Sequence, residues 1–423
     1  MKSRLVSLDV LRGLTIMLMT VVNNPGDWGH VYAPLLHAEW HGCTPTDLVF
    51  PTFLFIVGVS VVLASPNKDS GPAALQKIVT RTLRIFCLGL FLSFWSKINI
   101  GGTEGLALLA LRLAFTLLIV IALFSEYHPK RQFYVALAVF VSMMIAAFGG
   151  FSDFETVRIP GVLQRIAIVY LIISLLYLHS GWQAQALTGL LLLVGYWAIM
   201  TLIPVPEMGT PNLDKGTNIA AWLDNLLLPG HLWVTSKTWD PEGILSTLPA
   251  IATGIAGLLT GTLLRANLSG TEKWRYLFVA GVLGIAAGLA WHVVFPMNKA
   301  LWTSSFVLYT AGMALAVLAI LYFFIDVKGV NGWTKLFVIF GVNPMVVFFF
   351  SGIIPRVLSS IKVAHPLDPS QAAMGLQTFL YKFYLEPHFS DPKNASLAYA
   401  LIYLSFWFLI LYILFKRKLI FKV

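Results

Sequence analysis

Charge is scarce in this chain. Only 11% of its 423 residues are Asp, Glu, Lys or Arg, and 58% are hydrophobic. A soluble domain carries about 25% charged residues, so a single soluble globular unit is excluded and lipid is the main solvent. Cysteine is nearly missing. Cys43 and Cys87 are the two present, expected on a loop and inside a helix, with no disulfide between them and no metal-ligand spacing. No Gly-rich nucleotide loop, internal repeat or low-complexity tract is visible. The first apolar run begins at about Leu8 without an Ala-x-Ala site, so it reads as a spanning helix rather than a cleaved signal. The net charge of +10 matters by position rather than by sum and is not a nucleic-acid signature.

What the chain has is a long series of apolar runs. A window of about 19 residues finds about twelve spans. They begin near Val6, Leu48, Ile78, Gly105, Gln132, Gly161, Ala184, Ile244, Trp274, Leu301, Lys335 and Ser396. The expected fold is all-α and polytopic, one membrane domain over residues 1–423 with about twelve transmembrane helices. Lys and Arg set the orientation. Lys2, Arg4, Lys68, Lys77, Arg81, Arg84, Lys130, Arg131, Arg265 and the tail Lys416, Arg417, Lys418 and Lys422 fall on one side, which places both termini in the cytoplasm. Acids such as Asp27, Glu39, Asp153, Glu207, Asp214, Asp368 and Asp391 fall on the other. Three segments on that outer side are long: 23–46, 204–243 and 355–395. Loop length spent on one face marks the face that carries the site.

His37 stands in the first of these loops. An imidazole where the chain leaves the bilayer can act as a base or nucleophile toward a substrate outside the cell. Asn23, Glu39, His41 and Asp47 lie close in sequence, against the plainer reading of an interfacial histidine beside Trp40. Asn23 is suited to donate to an oxyanion. Glu39 or Asp47 could orient the ring. Thr44-Pro45-Thr46-Asp47 is also a helix start, and capping alone would account for Asp47. Asp240-Pro241-Glu242-Gly243 reads as the same kind of start, with Asp240 as cap and Glu242 left over in the first turn. Arg158 and Arg165 need acids or anions, either a substrate or the acidic loops. Helix 1 carries Asp9, Arg12 and Asn23 as a polar stripe, Arg12 and Asn23 falling within about 20° of each other. Asp9 and Arg12 read as an interfacial pair. Lys77, Arg81 and Arg84 share one face. That face is either the ordinary positive-inside signal or a clamp for the phosphates of a cytosolic cofactor. Pro51, Pro249 and Asn343-Pro344 are expected helix breaks.

Together these blocks resemble a known family. Asp9-x-x-Arg12-Gly13, Val22-Asn23 and His37-Ala38-x-Trp40-x-Gly42-x-Thr44-x-x-Asp47-Leu48-Val49-Phe50-Pro51 come first. Arg158-Ile159-Pro160-Gly161-Val162-Leu163-Gln164-Arg165, Asp240-Pro241-Glu242-Gly243-Ile244-Leu245 and Asn298-Lys299-x-Leu301-Trp302 follow in order. They look like the heparan-α-glucosaminide N-acetyltransferase family in its bacterial branch. The resemblance implies transmembrane acetylation. Acetyl-CoA serves as acyl donor on the cytosolic side, and the acceptor is the amine of a terminal glucosamine on the far side. His37 matches the family's catalytic histidine and Asn23 its partner. The chain departs from the pattern by lacking the large luminal domain of the animal enzymes and by carrying an extra helix pair at about 105–148.

The expectation is therefore an acyltransferase of the bacterial inner membrane, without metal or nucleic acid, acting on a small amine or glycan; the sequence leaves a homodimer open. The catalytic residues would be His37, Asn23 and Asp47. Substrate would meet Glu39, Arg158, Gln164, Arg165, Asp240 and Glu242. Acetyl-CoA would meet Arg12, Lys77, Arg81 and Arg84. Whether His37 carries the acetyl group or acts as general base stays open. The competing readings are an O-acyltransferase of envelope glycans and a secondary transporter of a sugar or anion. The short, uncharged loop His179–Gln183 counts against the two-halves transporter pattern.

Overall fold

The computed structural model describes residues 5–421 apart from 66, 100, 207, 367–369 and 371. Lys2, Arg4, Glu207, Asp368 and Lys422, used in the charge argument, lie outside the described residues. Fifteen helices follow one another: α1 (Val6–Val22), α2 (Val49–Ala64), α3 (Pro72–Phe94), α4 (Gly105–Phe124), α5 (Pro129–Phe148), α6 (Val162–His179), α7 (Trp182–Leu202) and α8 (Ile219–Leu227), then α9 (Thr247–Arg265), α10 (Gly270–His292), α11 (Ser304–Tyr322), α12 (Lys335–Val342), α13 (Pro344–Ser360), α14 (Leu376–Leu380) and α15 (Pro392–Lys416). The strands among the described residues are two of two residues each, Lys362–Val363 paired antiparallel with Met374–Gly375.

A helix occupies each of the twelve expected positions. Among the described residues nine are individually long and apolar enough to cross a membrane. The pair α12 and α13, bent by 75° between them, is apolar and long enough only when taken together, as one broken span or a re-entrant loop. The bend falls at Asn343-Pro344, where proline removes a backbone donor and restricts the residue before it. Pro51 and Pro249 do not break their helices. Pro249 is the third residue of α9, where the missing N–H had no partner to lose, and Pro51 stands where the 3-10 turn at 45–48 passes into α2. α1, at 17 residues, is marginally too short to be counted with the nine, and α3 falls short through its Lys77, Arg81 and Arg84.

Burial separates the helices into an inner and a peripheral set. α6 and α9 bury 56% and 67% of their apolar window, whereas α4, α5 and α10 bury 17% each. The pair α4 and α5 therefore packs at the edge and shows Leu117, Leu118 and Ile145 outward, as lipid-facing residues should. α2 and α9 cross with their backbones touching. A Cβ added at Gly58 would strike the Gly254 carbonyl, and one at Gly257 the Phe55 carbonyl. Small residues let spanning helices approach this closely.

Candidate active site

The loop before α2 is built from its own polar residues. Thr44 Oγ1 donates to the Leu36 carbonyl at 2.7 Å and Thr46 Oγ1 to the Pro34 carbonyl at 3.1 Å. Gly42 takes φ +124°, a region open to glycine, and its N–H donates to the Met297 carbonyl at 2.7 Å. Residues 45–48 form a 3-10 turn leading into α2. Asp47 Oδ2 accepts from the Thr44 and Ala38 N–H groups at 3.0 and 3.1 Å. Its other oxygen, Oδ1, lies 2.7 Å from His37 Nδ1. Asp47 thus both caps the turn and orients the imidazole, which fixes Nδ1 inward and leaves Nε2 turned away from the carboxylate. The Asp47 side chain is 1% exposed and that of His37 49%.

His37 faces a cavity of about 490 Å³. Asn23, Glu39, Asp47, Arg158 and Glu242 line it, all singled out by the sequence. Lys299, Lys215 and three tryptophans, Trp40, Trp233 and Trp239, also line it. Trp239 is buried and stands edge-on to both others, with centroids at 5.4 Å and 6.3 Å. Trp40 is anchored by its Nε1 donating to the Leu213 carbonyl at 2.9 Å.

Arg158 donates to Asp240 from Nε at 2.7 Å and from NH2 at 2.5 Å, and to Glu242 at 2.5 Å. Bidentate pairing of this kind is strong and directional. Burial opposes ionisation of Glu242, but the charges of Arg158, Arg165 and Lys299 outweigh it and lower its pKa. Asp240 does not cap a helix as expected. α9 begins seven residues later, at Thr247 with Ser246 before it. The Arg158 guanidinium, together with the Glu242 N–H at 2.9 Å, takes the carboxylate that capping would have used.

Three expected substrate residues lie behind the wall. Asp240, Gln164 and Arg165 are 3%, 3% and 1% exposed and line neither large cavity. Arg165 donates to the Gly243 carbonyl and Ser246 Oγ and lies over the Trp302 ring. Its position is that of a residue shaping the site from behind.

A second cavity, of about 750 Å³, opens at the other end of the same helices. Arg12, Lys77, Arg81 and Arg84 all line it, together with Ser60, Tyr127 and Tyr170. Arg12 pairs with Asp9 at 2.9 Å and donates to Ser60 Oγ at 3.1 Å. Arg84 is buried and donates to the Leu123 carbonyl at 2.5 Å. Arg81 is exposed in the cavity, its guanidinium 4.9 Å from the Tyr170 ring centre. The two cavities share a wall: Phe53 of α2 and Ile166 of α6 line both. Along α2, Val49 and Phe53 face one cavity and Val57, Ser60 and Val61 the other. Along α6, Val162, Ile166 and Tyr170 make the same progression. Among the described residues no cluster of His, Cys, Asp and Glu could hold a metal. Cys43 and Cys87 are both free.

The family described as heparan-alpha-glucosaminide N-acetyltransferase, catalytic, matches residues 4–155, a stretch that contains Asn23, His37, Asp47 and the Lys77–Arg84 face. Heparan-alpha-glucosaminide N-acetyltransferase of Homo sapiens is 27% identical over 99% of this chain, and that of Mus musculus 26% identical over 100%. The chain spans about 60% of the length of these curated relatives. The polytopic helical chain with His37 and Asp47 at its cavity wall is thus similar to the heparan-α-glucosaminide N-acetyltransferases, a family of acyltransferases.

Proposed function

We propose that the protein is a transmembrane acetyltransferase. It takes the acetyl group of cytosolic acetyl-CoA and delivers it to the amine of a glucosamine-type sugar at the periplasmic face of the inner membrane. The chain crosses the membrane twelve times with both termini inside, so that the Arg81 cavity opens to the cytoplasm and the His37 cavity outward. The observation that carries this reading is the shared lining of the two cavities by Phe53 and Ile166. CoA cannot cross a bilayer and a charged sugar cannot enter one. A basic cavity separated by one layer of side chains from a histidine cavity answers both constraints. From Val49 to Val61 the passage follows α2 for about 18 Å at about 1.5 Å per residue. An extended, flexible thioester arm can thread that length while its phosphates stay with Arg81 and Lys77.

In the His37 cavity the Asp47 carboxylate holds the imidazole. His37 Nε2 either receives the acetyl group and passes it on, or takes the proton of the attacking amine. Asn23 lines the same cavity and is the amide available to the oxyanion. Trp40, Trp233 and Trp239 suit a pyranose, whose C–H faces pack on aromatic rings. Glu39 is exposed at the rim beside them and suits an ammonium group. The test is sidedness in sealed proteoliposomes. Acetyl-CoA and glucosamine on opposite sides should react, and sealing both on one side should give no product. Transfer with both substrates on the same side only would overturn the proposal.

A further inference from the structure

The Asn298-Lys299-x-Leu301-Trp302 segment has no task in the reading so far. We propose that Lys299 is a catalytic residue of the His37 cavity, its ammonium holding the acyl oxygen as that oxygen becomes an oxyanion. This rests on the acetyl-transfer reading and adds to it the group that carries the developing charge.

The geometry places Lys299 at the reacting centre. Its Nζ lies 3.0 Å from both Nδ1 and Nε2 of His37, above the ring. Asp47 Oδ1 is at 3.9 Å, beyond hydrogen-bond reach. Asp47 accepts the Nδ1 proton, so of the two ring nitrogens only Nε2 can accept from this ammonium, and among the described residues no other acceptor lies within its hydrogen-bond reach. An ammonium has three donors, so donor capacity remains for a ligand. Since Asp47 holds Nδ1, chemistry proceeds at Nε2. An acyl carbon bound to Nε2, or attacked by an amine hydrogen-bonded to it, carries its oxygen within reach of Nζ. Both mechanisms for His37 therefore bring the same oxygen to Lys299.

The turn bearing Lys299 is over-determined. The Met297 carbonyl accepts from Gly42 of the His37 loop at 2.7 Å. Asn298, fully buried, donates its N–H to Thr303 Oγ1 at 3.0 Å and accepts from the Leu301 N–H at 2.9 Å. Trp302 donates its N–H to the Lys299 carbonyl at 3.2 Å and its Nε1 to Thr253 Oγ1 at 3.1 Å. Trp302 also takes φ +53°, unusual for a residue with a side chain. Such a conformation persists where its surroundings enforce it, often at functional sites. A lysine is a flexible group, and this turn fixes the base of its side chain beforehand. Prior fixation is what oxyanion stabilisation requires.

The charge environment fits as well. Burial disfavours the Lys299 ammonium and lowers its pKa, while the nearby Glu242 and Asp47 carboxylates favour the charge. Arg158 occupies Glu242, so Glu242 balances the field without capturing Nζ. In the step itself the nucleophile forms a bond to the acyl carbon and the carbonyl electron pair moves to oxygen. The pair then returns, the carbon–sulfur bond breaks and CoA leaves as thiolate. The amine proton goes to His37, and Lys299 keeps its own protons throughout.

The test is steady-state transfer from acetyl-CoA to glucosamine by the purified full chain, comparing Lys299→Met and Lys299→Arg. Direct acetyl-CoA binding and melting midpoints are measured alongside. Loss of one oxyanion donor lowers kcat by about 10²- to 10³-fold. Lys299→Met should show that loss in kcat, with acetyl-CoA affinity and midpoint unchanged. Lys299→Arg should recover at least tenfold of it, because a guanidinium donates equally well but cannot serve as a base. The role is overturned if Lys299→Met keeps kcat within threefold of wild type, if the loss lies in binding or midpoint instead, or if Lys299→Arg is no better than Lys299→Met. A wild-type protein that binds acetyl-CoA but acetylates no acceptor would remove the acetyl-transfer reading itself, and this role with it.

Discussion

His37 Nδ1 and Asp47 Oδ1 stand 2.7 Å apart, joined across a ten-residue loop whose helix cap is the same carboxylate. One side chain therefore both holds the turn and orients the imidazole, and two substitutions separate these effects. Asp47→Asn keeps an oxygen for the cap but loses the charge that fixes the imidazole. It should lower kcat by about 10²- to 10⁴-fold, the range of a general acid–base contribution, with little change in melting midpoint. Asp47→Ala should lose the same activity and in addition about 1–2 kcal/mol of stability. Equal midpoints for the two variants would show that the cap is not holding the loop.

The basic cavity makes a separate prediction. Arg81 is exposed within it, whereas Arg84 is buried against the Leu123 carbonyl. A charge-assisted hydrogen bond contributes about 1.5–3 kcal/mol. Arg81→Ala should weaken acetyl-CoA binding by about 10- to 100-fold without destabilising the protein. Arg84→Ala should lower the melting midpoint as well. Calorimetric titration of acetyl-CoA into both variants checks this; unchanged affinity in the Arg81→Ala, Arg84→Ala double variant would remove the phosphate clamp.

Much of this arrangement was legible in the sequence. Twelve helix positions, the Arg12–Asp9 pair, the Lys77–Arg81–Arg84 face and the His37–Asp47 loop all follow from local periodicity, spacing and caps. What local rules could not supply was competition from afar. Asp240 has the spacing of a helix cap, yet Arg158, 82 residues earlier, takes its carboxylate. Gln164 and Arg165 share a motif with Arg158, but helical rotation turns them behind the wall. Lys299 reaches His37 across 262 residues. Its signal was present only as the lysine of the Asn298-Lys299-x-Leu301-Trp302 motif, to which the sequence assigned no task. Trp233 and Trp239 carried no mark beyond their place in a long loop.

Phe53 is the thin point between the two cavities, and its size should govern passage. Phe53→Trp adds bulk where the acyl arm must thread. It should cut transfer at least tenfold while acetyl-CoA binding in the Arg81 cavity stays intact. Phe53→Ala should keep transfer and raise acetyl-CoA hydrolysis by admitting water. If Phe53→Trp transfers at the wild-type rate, the arm does not pass between α2 and α6.

The loop that carries Glu242 should report on pH through Asp224. This carboxylate is buried and accepts from the Ile244 N–H at 2.8 Å and the Asp240 N–H at 3.2 Å. Burial pushes its pKa up to about 6, above the roughly 3.9 of an unfolded chain. Between these values the folded protein holds a proton that the unfolded chain has lost. Stability from this group is therefore full below about pH 4, falls as pH rises to about 6, and is level above. Two pKa units correspond to about 3 kcal/mol. Asp224→Asn should flatten that part of the profile in thermal melts from pH 4 to 7; an unchanged slope would assign it elsewhere.

The most direct measurement is acetyl transfer from radiolabelled acetyl-CoA to glucosamine by the purified protein in detergent, with His37→Ala alongside. The wild type should form N-acetylglucosamine. The variant should bind acetyl-CoA with unchanged affinity, melt at the same temperature and form no product. Substantial turnover by a folded His37→Ala protein would contradict the account at its centre, leaving the histidine as a structural residue of the loop.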